Sequence, residues 1–353
     1  MREQRGLLTV WDRLPDGLLE AHPTELAELL GGPVLLLLPG RREPPLFVSV
    51  LQHGNEVSGI QAIQQVLAAH RGRQLPRSLA LFVGNVAAAR EGLRHLDGQP
   101  DYNRVWPGTD RPESPETRMT AEITGELRRR GCFASIDVHN NSGRNPQYAC
   151  INRPDPTHAA LAALFSRTVV YFTRPLGVQS IAFSEFCPST VLECGPPGSP
   201  EPTARAAETI DAALRLEHLD PRSVPLDLAL LHTVAVVRVN PEVDFAFGDQ
   251  RRRLTLPDDL DRLNFRELPP GTTFAWVAQD TTAPVLALDN AGQDATGRYF
   301  EIRDGALRTR REVMPVMLTL DTRVIRQDCL CYLMERLDAP QLLGLPVREG
   351  APE

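Results

Sequence analysis

Histidine and glutamate stand three residues apart at His53 and Glu56, at the end of the stretch Leu46-Phe47-Val48-Ser49-Val50-Leu51-Gln52-His53-Gly54-Asn55-Glu56. An apolar, strand-forming run leads into the pair, and a helix-forming run, Ile60 to Ala69, follows it. Imidazole nitrogen and carboxylate oxygen on one tight turn are ligands that zinc accepts. A catalytic zinc takes three protein ligands and keeps one position open. Alone, such a pair is more readily a solvated loop pair. Three later stretches carry further groups of the same chemistry: Asp101-Tyr102-Asn103-Arg104-Val105-Trp106-Pro107-Gly108, Asp137-Val138-His139-Asn140-Asn141 and Leu192-Glu193-Cys194-Gly195.

Alternating strands and helices position these stretches. Pro23 to Leu30 reads as an amphipathic helix with Leu26, Leu29 and Leu30 on one side. Val34 to Leu38 and Leu46 to Leu51 read as strands, the second antiparallel to the first across the turn 39–45. Ser78 to Asn85 is a third strand. Residues 86–116 lack periodicity, and a loop that long in a compact domain carries function. Ser114-Pro115-Glu116-Thr117 opens a helix to Arg130, with acids near its start and Arg128 to Arg130 at its end to suit the helix dipole. Strands follow at Phe133 to Val138, Tyr148 to Ile151, Thr168 to Phe172 and Ser189 to Cys194, with helices at Thr157 to Ser166 and Thr203 to Glu217.

This alternation specifies an α/β domain over residues 1–222, with a largely parallel sheet flanked by helices. Ligands collect beyond the carboxyl ends of such strands. His53, Glu56, Asn85, His139 and Glu193 all fall there. After Pro221 the texture changes to short β-type runs, His232 to Val239, Thr272 to Ala278, Val285 to Leu288, Tyr299 to Ile302 and Val313 to Leu320. They read as a β-rich domain over 223–340, followed by a Pro-rich tail over 341–353.

Of the 353 residues, 42% are hydrophobic and 24% charged, so a sizeable core is expected. The net charge of -7 argues against a nucleic-acid surface; the arginine triplets at 128–130 and 251–253 read as solvated faces. No run is long enough to span a membrane, and the first residues lack the pattern of a signal peptide. The default location is cytoplasmic. The six cysteines show no CxxC pair and read as buried free thiols.

In this order, the four stretches resemble the succinylglutamate desuccinylase/aspartoacylase family of the wider zinc carboxypeptidase superfamily. The resemblance runs from about Leu46 to Val316. It implies a zinc-carboxypeptidase-like mixed sheet and a C-terminal β-rich domain that shapes the active-site entrance. It implies one Zn2+ per chain, held by His53, Glu56 and His139, with Glu193 as the carboxylate that activates water. Two neutral imidazoles and one carboxylate leave zinc a net positive charge, which brings the pKa of its water to about 7 and polarises an amide carbonyl. A glutamate beside that water can take its proton and deliver it to the leaving amine.

Asn103 and Arg104 match the family's Asn-Arg pair, which holds the substrate carboxylate and polarises the scissile carbonyl. The planar fork of arginine suits that task. Arg94 matches a second family arginine when two residues, such as Gln99-Pro100, are inserted before Asp101; otherwise it is an exposed loop arginine. Asp137 precedes His139 by two on a strand and points the same way. It reads either as orienting a ligand or as a surface carboxylate. Asn140, Asn141 and Ser142 read equally as pocket lining, with Asn140 contacting substrate, or as turn formers. His22, His70, His95, His158, His218 and His232 receive no role.

The sequence departs from the family in two places. The aspartoacylases carry an arginine about ten residues before the catalytic glutamate, where Ile181 to Phe186 here holds no basic residue. They also place a tyrosine near the end of the β-rich domain, where Met314 to Val324 has none. An apolar pocket at Ala182 and Phe183 is expected instead. The expected function is zinc-dependent hydrolysis of the amide bond of a small N-acyl amino acid or related carboxylate-bearing amide, with neutral or apolar amino acids preferred over N-acetylaspartate. Its alternatives are a zinc carboxypeptidase on short peptides and an inactive small-ligand-binding member. The expected partner is that small molecule, with no nucleic acid and no membrane; a homo-oligomer is compatible with this reading.

Overall fold

The computed structural model describes residues 2–141 and 143–345. Ser142 and most of the expected Pro-rich tail lie outside the described residues. The chain forms two compact units. One takes the residues up to Asn140, then Gln147–Leu230 and the stretch from Asp338; the other takes Asn141–Pro146 and Leu231–Leu337.

The first unit contains strands β1 (Arg2–Arg5), β2 (Leu8–Trp11), β3 (Val34–Leu38), β4 (Leu46–Val50), β5 (Leu79–Val83), β6 (Ala134–His139), β7 (Tyr148–Ile151), β8 (Thr168–Tyr171) and β9 (Ser189–Glu193). They lie in the order β1-β2-β3-β5-β4-β6-β9-β7-β8. The central four, β5, β4, β6 and β9, run parallel, so their carboxyl ends open on the same edge. Strand β3 does run antiparallel in direction to β4, but β5 lies between them, antiparallel to β3 and parallel to β4. The turn 39–45 is therefore not a hairpin. It docks along the segment before β5, with Arg41 N–H donating to Leu75 O and Ser78 N–H to Arg42 O.

Helices α1 (Leu26–Leu30), α2 (Ser58–Ala69), α3 (Val86–Arg90), α4 (Pro115–Arg130), α5 (Pro156–Ala163), α6 (Gln179–Ser184) and α7 (Pro200–Arg215) accompany these strands. Helix α4 starts where its cap dictates. Thr117 N–H donates to Ser114 Oγ, Ser114 N–H donates to Thr117 Oγ1, and Pro115 takes the first turn, where no backbone donor is needed. Its buried stripe of Met119, Ile123 and Leu127 packs with Phe47, Phe82, Trp106 and Phe183 into one core cluster. Phe183 stacks on Phe47 at 4.3 Å between centroids, and Trp106 meets both edge-on.

The second unit is β-rich. A five-stranded sheet orders β11 (Phe245–Phe247), β12 (Leu254–Leu256), β13 (Thr273–Val277), β16 (Ala306–Thr309) and β15 (Phe300–Arg303). Four more strands, β10 (Ala229–Val239), β14 (Val285–Asp289), β17 (Met314–Val316) and β18 (Cys331–Leu337), pair with one another. Phe274, Tyr299 and Phe300 are buried in its core. All six cysteines are free thiols. Among the described residues no helix is long and apolar enough to cross a membrane.

Candidate metal centre

Strand β4 does not run straight into His53. Leu51, fully buried, sits at φ +54°, a left-handed conformation that costs a non-glycine residue roughly 1–2 kcal/mol. Asn85 N–H holds it by donating to Leu51 O at 2.6 Å. The kink turns Gln52 and His53 inward. Gly54 then makes the closest approach in the turn: a Cβ there would lie 2.2 Å from Ala89 N and 2.7 Å from Leu93 O, both backbone. Gly54 N–H donates to Arg94 O at 3.0 Å, so the loop after α3 is stitched to this turn.

Three side chains converge beyond the strand ends. His53 Nδ1 lies 2.8 Å from Glu56 Oε1, and His139 Nδ1 lies 2.7 Å from Glu56 Oε2. The two rings stand 5.0 Å apart. Each ring's outer nitrogen meets its own carboxylate. His53 Nε2 is 3.0 Å from Asp101 Oδ1, and His139 Nε2 is 2.9 Å from Asp137 Oδ2. An outer carboxylate keeps a proton on Nε2, so that Nδ1, once it gives up the proton it shares with Glu56, offers its lone pair inward, as metal-ligating histidines require. Two imidazoles and a carboxylate, with ligand atoms within 4.8 Å of one another, are a donor set that fits zinc.

The electrostatics agree. Burial opposes charge on His53, and Arg94 pushes the same way, yet Glu56 and Asp101 outweigh both and raise its pKa. Burial is likewise outweighed at His139, where Asp137 and Glu56 hold the imidazole well above its ordinary range. Burial would raise Glu56, but His53 and His139 hold it far below the usual carboxylate range. Asp101 is buried too, and His53, Arg94 and Arg104 hold it well down. The cluster therefore favours positive charge at its centre.

The other sequence candidates fall around this cluster. Glu193, the last residue of β9, is in parallel register with His139 and is 8% exposed. Arg94 is no exposed loop residue: Nη1 lies 3.5 Å from Glu56 Oε1, and Nη2 donates to Asp101 Oδ2 at 3.2 Å. Arg104 Nη1 donates to Asn103 O. Asn103 accepts from Gln179 N–H through Oδ1, and its Nδ2 lies 3.1 Å from His139 Nε2. Asn140 ties the strand ends together. It accepts from Ser58 N–H, donates to Ser58 Oγ and Gly195 O, and gives its own N–H to Glu56 Oε2. Asn85 caps α3 by accepting from Ala88 N–H.

The expected apolar pocket at Ala182 and Phe183 is not formed. Phe183 is fully buried and Ala182 is 4% exposed, because α6 turns both into the aromatic core against Phe47 and Trp106. The sequence reading gave no role to Asp101, Gln52 or Trp106. The signal for Asp101 was its place at the head of Asp-x-Asn-Arg. Its 48-residue separation from His53 left no periodicity to follow.

Residues 43–210 match the family model of the succinylglutamate desuccinylase/aspartoacylase catalytic domain. No curated protein matches the chain by sequence. Among solved structures, a succinylglutamate desuccinylase from Chromobacterium violaceum is 20% identical with a TM-score of 0.53, the match covering 84% of this chain and 86% of that one. A succinylglutamate desuccinylase/aspartoacylase from Rhodobacter sphaeroides is 16% identical with a TM-score of 0.55, covering 85% and 87%. Murine aminoacylase 3 is 17% identical with a TM-score of 0.51, covering 84% and 97%. At these identities the likeness is one of fold: a large mixed sheet flanked by helices, with a β-rich C-terminal part.

Proposed function

We propose that this protein is a zinc-dependent amidohydrolase of small N-acyl amino acids or related carboxylate-bearing amides, a reading supported by the match of residues 43–210 to the succinylglutamate desuccinylase/aspartoacylase catalytic-domain model. The convergence of His53 Nδ1 and His139 Nδ1 on the Glu56 carboxylate carries this reading. These three residues would hold one zinc, which supplies a lowered pKa for water and polarisation of the amide carbonyl.

Glu193 takes a proton from the attacking water and returns it to the leaving nitrogen, so that the C–N bond breaks and acid and amine separate. Its register beside His139 supports that role. Arg104 grips the substrate carboxylate through its planar fork. Arg94, shared between Glu56 and Asp101, adds positive charge at the wall where the carbonyl oxygen becomes negative. Asn103 seats the Arg104 turn on α6 through Gln179 N–H. Asn140 has its amide committed to Ser58 and Gly195, which supports a positioning role in place of the substrate contact expected from sequence.

The missing basic residue between Ile181 and Phe186 supports N-acylated neutral amino acids over N-acetylaspartate. That support no longer includes an apolar pocket at Phe183. The test has two parts. Elemental analysis of protein purified without added zinc should find about one zinc per chain. On that protein, kcat/KM for N-acetylated leucine, phenylalanine and methionine should exceed that for N-acetylaspartate. Zinc without turnover on any N-acyl amino acid would favour an inactive binding member. A clear preference for N-acetylaspartate would overturn the substrate reading alone.

A further inference from the structure

Beneath the metal cluster, a chain of buried hydrogen bonds leaves His139 and ends in the aromatic core. Asp137, fully buried, accepts from His139 Nε2 and from Gln52 Nε2, the latter at 2.6 Å, both through Oδ2. Ser49 Oγ donates to its other oxygen at 2.6 Å. Gln52, 1% exposed, accepts in turn from Trp106 Nε1–H at 2.6 Å. The Trp106 ring is fully buried, and Phe47, Phe82 and Phe183 all meet it edge-on.

The direction of these bonds matters. Indole N–H can only donate. It therefore requires the Gln52 oxygen on its side and sends the Gln52 NH2 group to Asp137. A reversed amide would set N–H against N–H and a carbonyl oxygen against the carboxylate. Trp106 thus fixes which way Gln52 points, and Gln52 fixes the Asp137 carboxylate that holds the proton on His139 Nε2. The same short turn also carries Asp101, which does this office directly for His53.

Resting on the zinc reading above, we propose that Gln52 and Trp106 are positioning residues of the metal centre, setting the orientation of His139 through Asp137. The segment 101–106 then orients both imidazole ligands while it presents Arg104 to substrate.

The test uses Gln52→Met, which keeps the volume and removes both hydrogen bonds, and Trp106→Phe, which keeps an aromatic ring and removes the donor. Zinc affinity is measured by chelator competition, and ligand geometry by the visible absorption of the cobalt-substituted protein. Each variant should bind zinc about tenfold more weakly and shift the cobalt bands, given what partners of metal ligands contribute. Adding Gln52→Met to Asp137→Asn should cost little more, since both act through one carboxylate. A packing role would lower the melting temperature and leave the cobalt spectrum and zinc affinity unchanged, which overturns the inference. Trp106→Phe reads the same link if Gln52→Met does not fold. Failure of the wild type to bind zinc would overturn the metal reading and this inference together. Zinc in the wild type with unaltered variants overturns this inference alone.

Discussion

The His–Asp–Arg constellations around Asp101 and Asp211 in the first unit differ instructively. At the metal cluster, Asp101 binds His53 Nε2 at 3.0 Å and Arg94 Nη2 at 3.2 Å. Between helices, Asp211 binds His70 Nε2 at 2.8 Å and Arg215 Nε at 2.8 Å. The local bonding is the same. The surroundings are not: the first trio is 4–11% exposed, whereas Asp211 is 32% and Arg215 60% exposed. His53 also has a second carboxylate on its other nitrogen, and Glu56 shares that carboxylate with His139. Among the described residues, His53, Glu56 and His139 form the one such gathering of potential ligands. A His–Asp pair is therefore no sign of a metal site. What sets the candidate site apart here is a pair of carboxylates on both sides of a buried ring.

The comparison breaks most visibly at His139. His139→Ala should lose both zinc and turnover, measured by elemental analysis and a hydrolysis assay; retention of full zinc would mean that the cluster is no different in kind from the His70 pair. Next in size, Glu193→Gln should keep zinc yet lose about 10²–10⁴-fold in kcat. Near-normal turnover there would remove Glu193 from the reaction. Asp137→Asn takes away one outer carboxylate and should weaken zinc binding about 10–100-fold, whereas Asp211→Asn should leave it unchanged.

A smaller effect concerns pH. His53 and His139 both have raised pKa values, against burial, because of Glu56 with Asp101 and Asp137 respectively. Raised imidazoles hold protons that zinc must displace, so apparent affinity should climb with pH through the neutral range. Calorimetry in buffers of different ionisation enthalpy should register proton release on zinc binding. Uptake, or none, would contradict the sign. The smallest change is expected from His70→Ala, which should cost about 1 kcal/mol of stability or less in thermal unfolding, with zinc content intact.

Much of this contrast was legible in the amino-acid order. His53 and Glu56 share one turn, and His139 and Glu193 each close an apolar strand run, so pattern alone set them at strand ends. Asp137 lay two residues from His139, near enough for strand alternation to aim it. Asp101, Gln52 and Trp106 were beyond such reasoning. Their links join segments 48 to 85 residues apart and depend on the kink at Leu51, which no local propensity announces. Arg94 was visible through resemblance, but its contacts with Glu56 and Asp101 arise only when the chain folds. Phe183 misled because a phenylalanine near a site can face either way; here α6 turned it toward Phe47. The insertion of β5 between β3 and β4 was hidden for a related reason. A tight Pro-Gly turn suggests a hairpin, while the partner that wins arrives about forty residues later.

The stitch between Gly54 and Arg94, with Asp101 clasped to His53 and Gln99 Oε1 accepting from Asn85 Nδ2 at 2.8 Å, leaves residues 95–98 as the slack between fixed points. Lengthening such slack by a residue or two changes its closure entropy by only a few tenths of a kcal/mol. Gln99-Pro100 closes it, because Gln99 is bound to the same Asn85 that holds the Leu51 kink. Chain length can thus be edited within 95–98 without disturbing the metal turn, whereas an added residue between Asp101 and Trp106 would shift Asp101, Arg104 and Trp106 out of step together. A scan of single-glycine insertions across 95–106 should show tolerance ending at Gln99, giving the site a measurable edge.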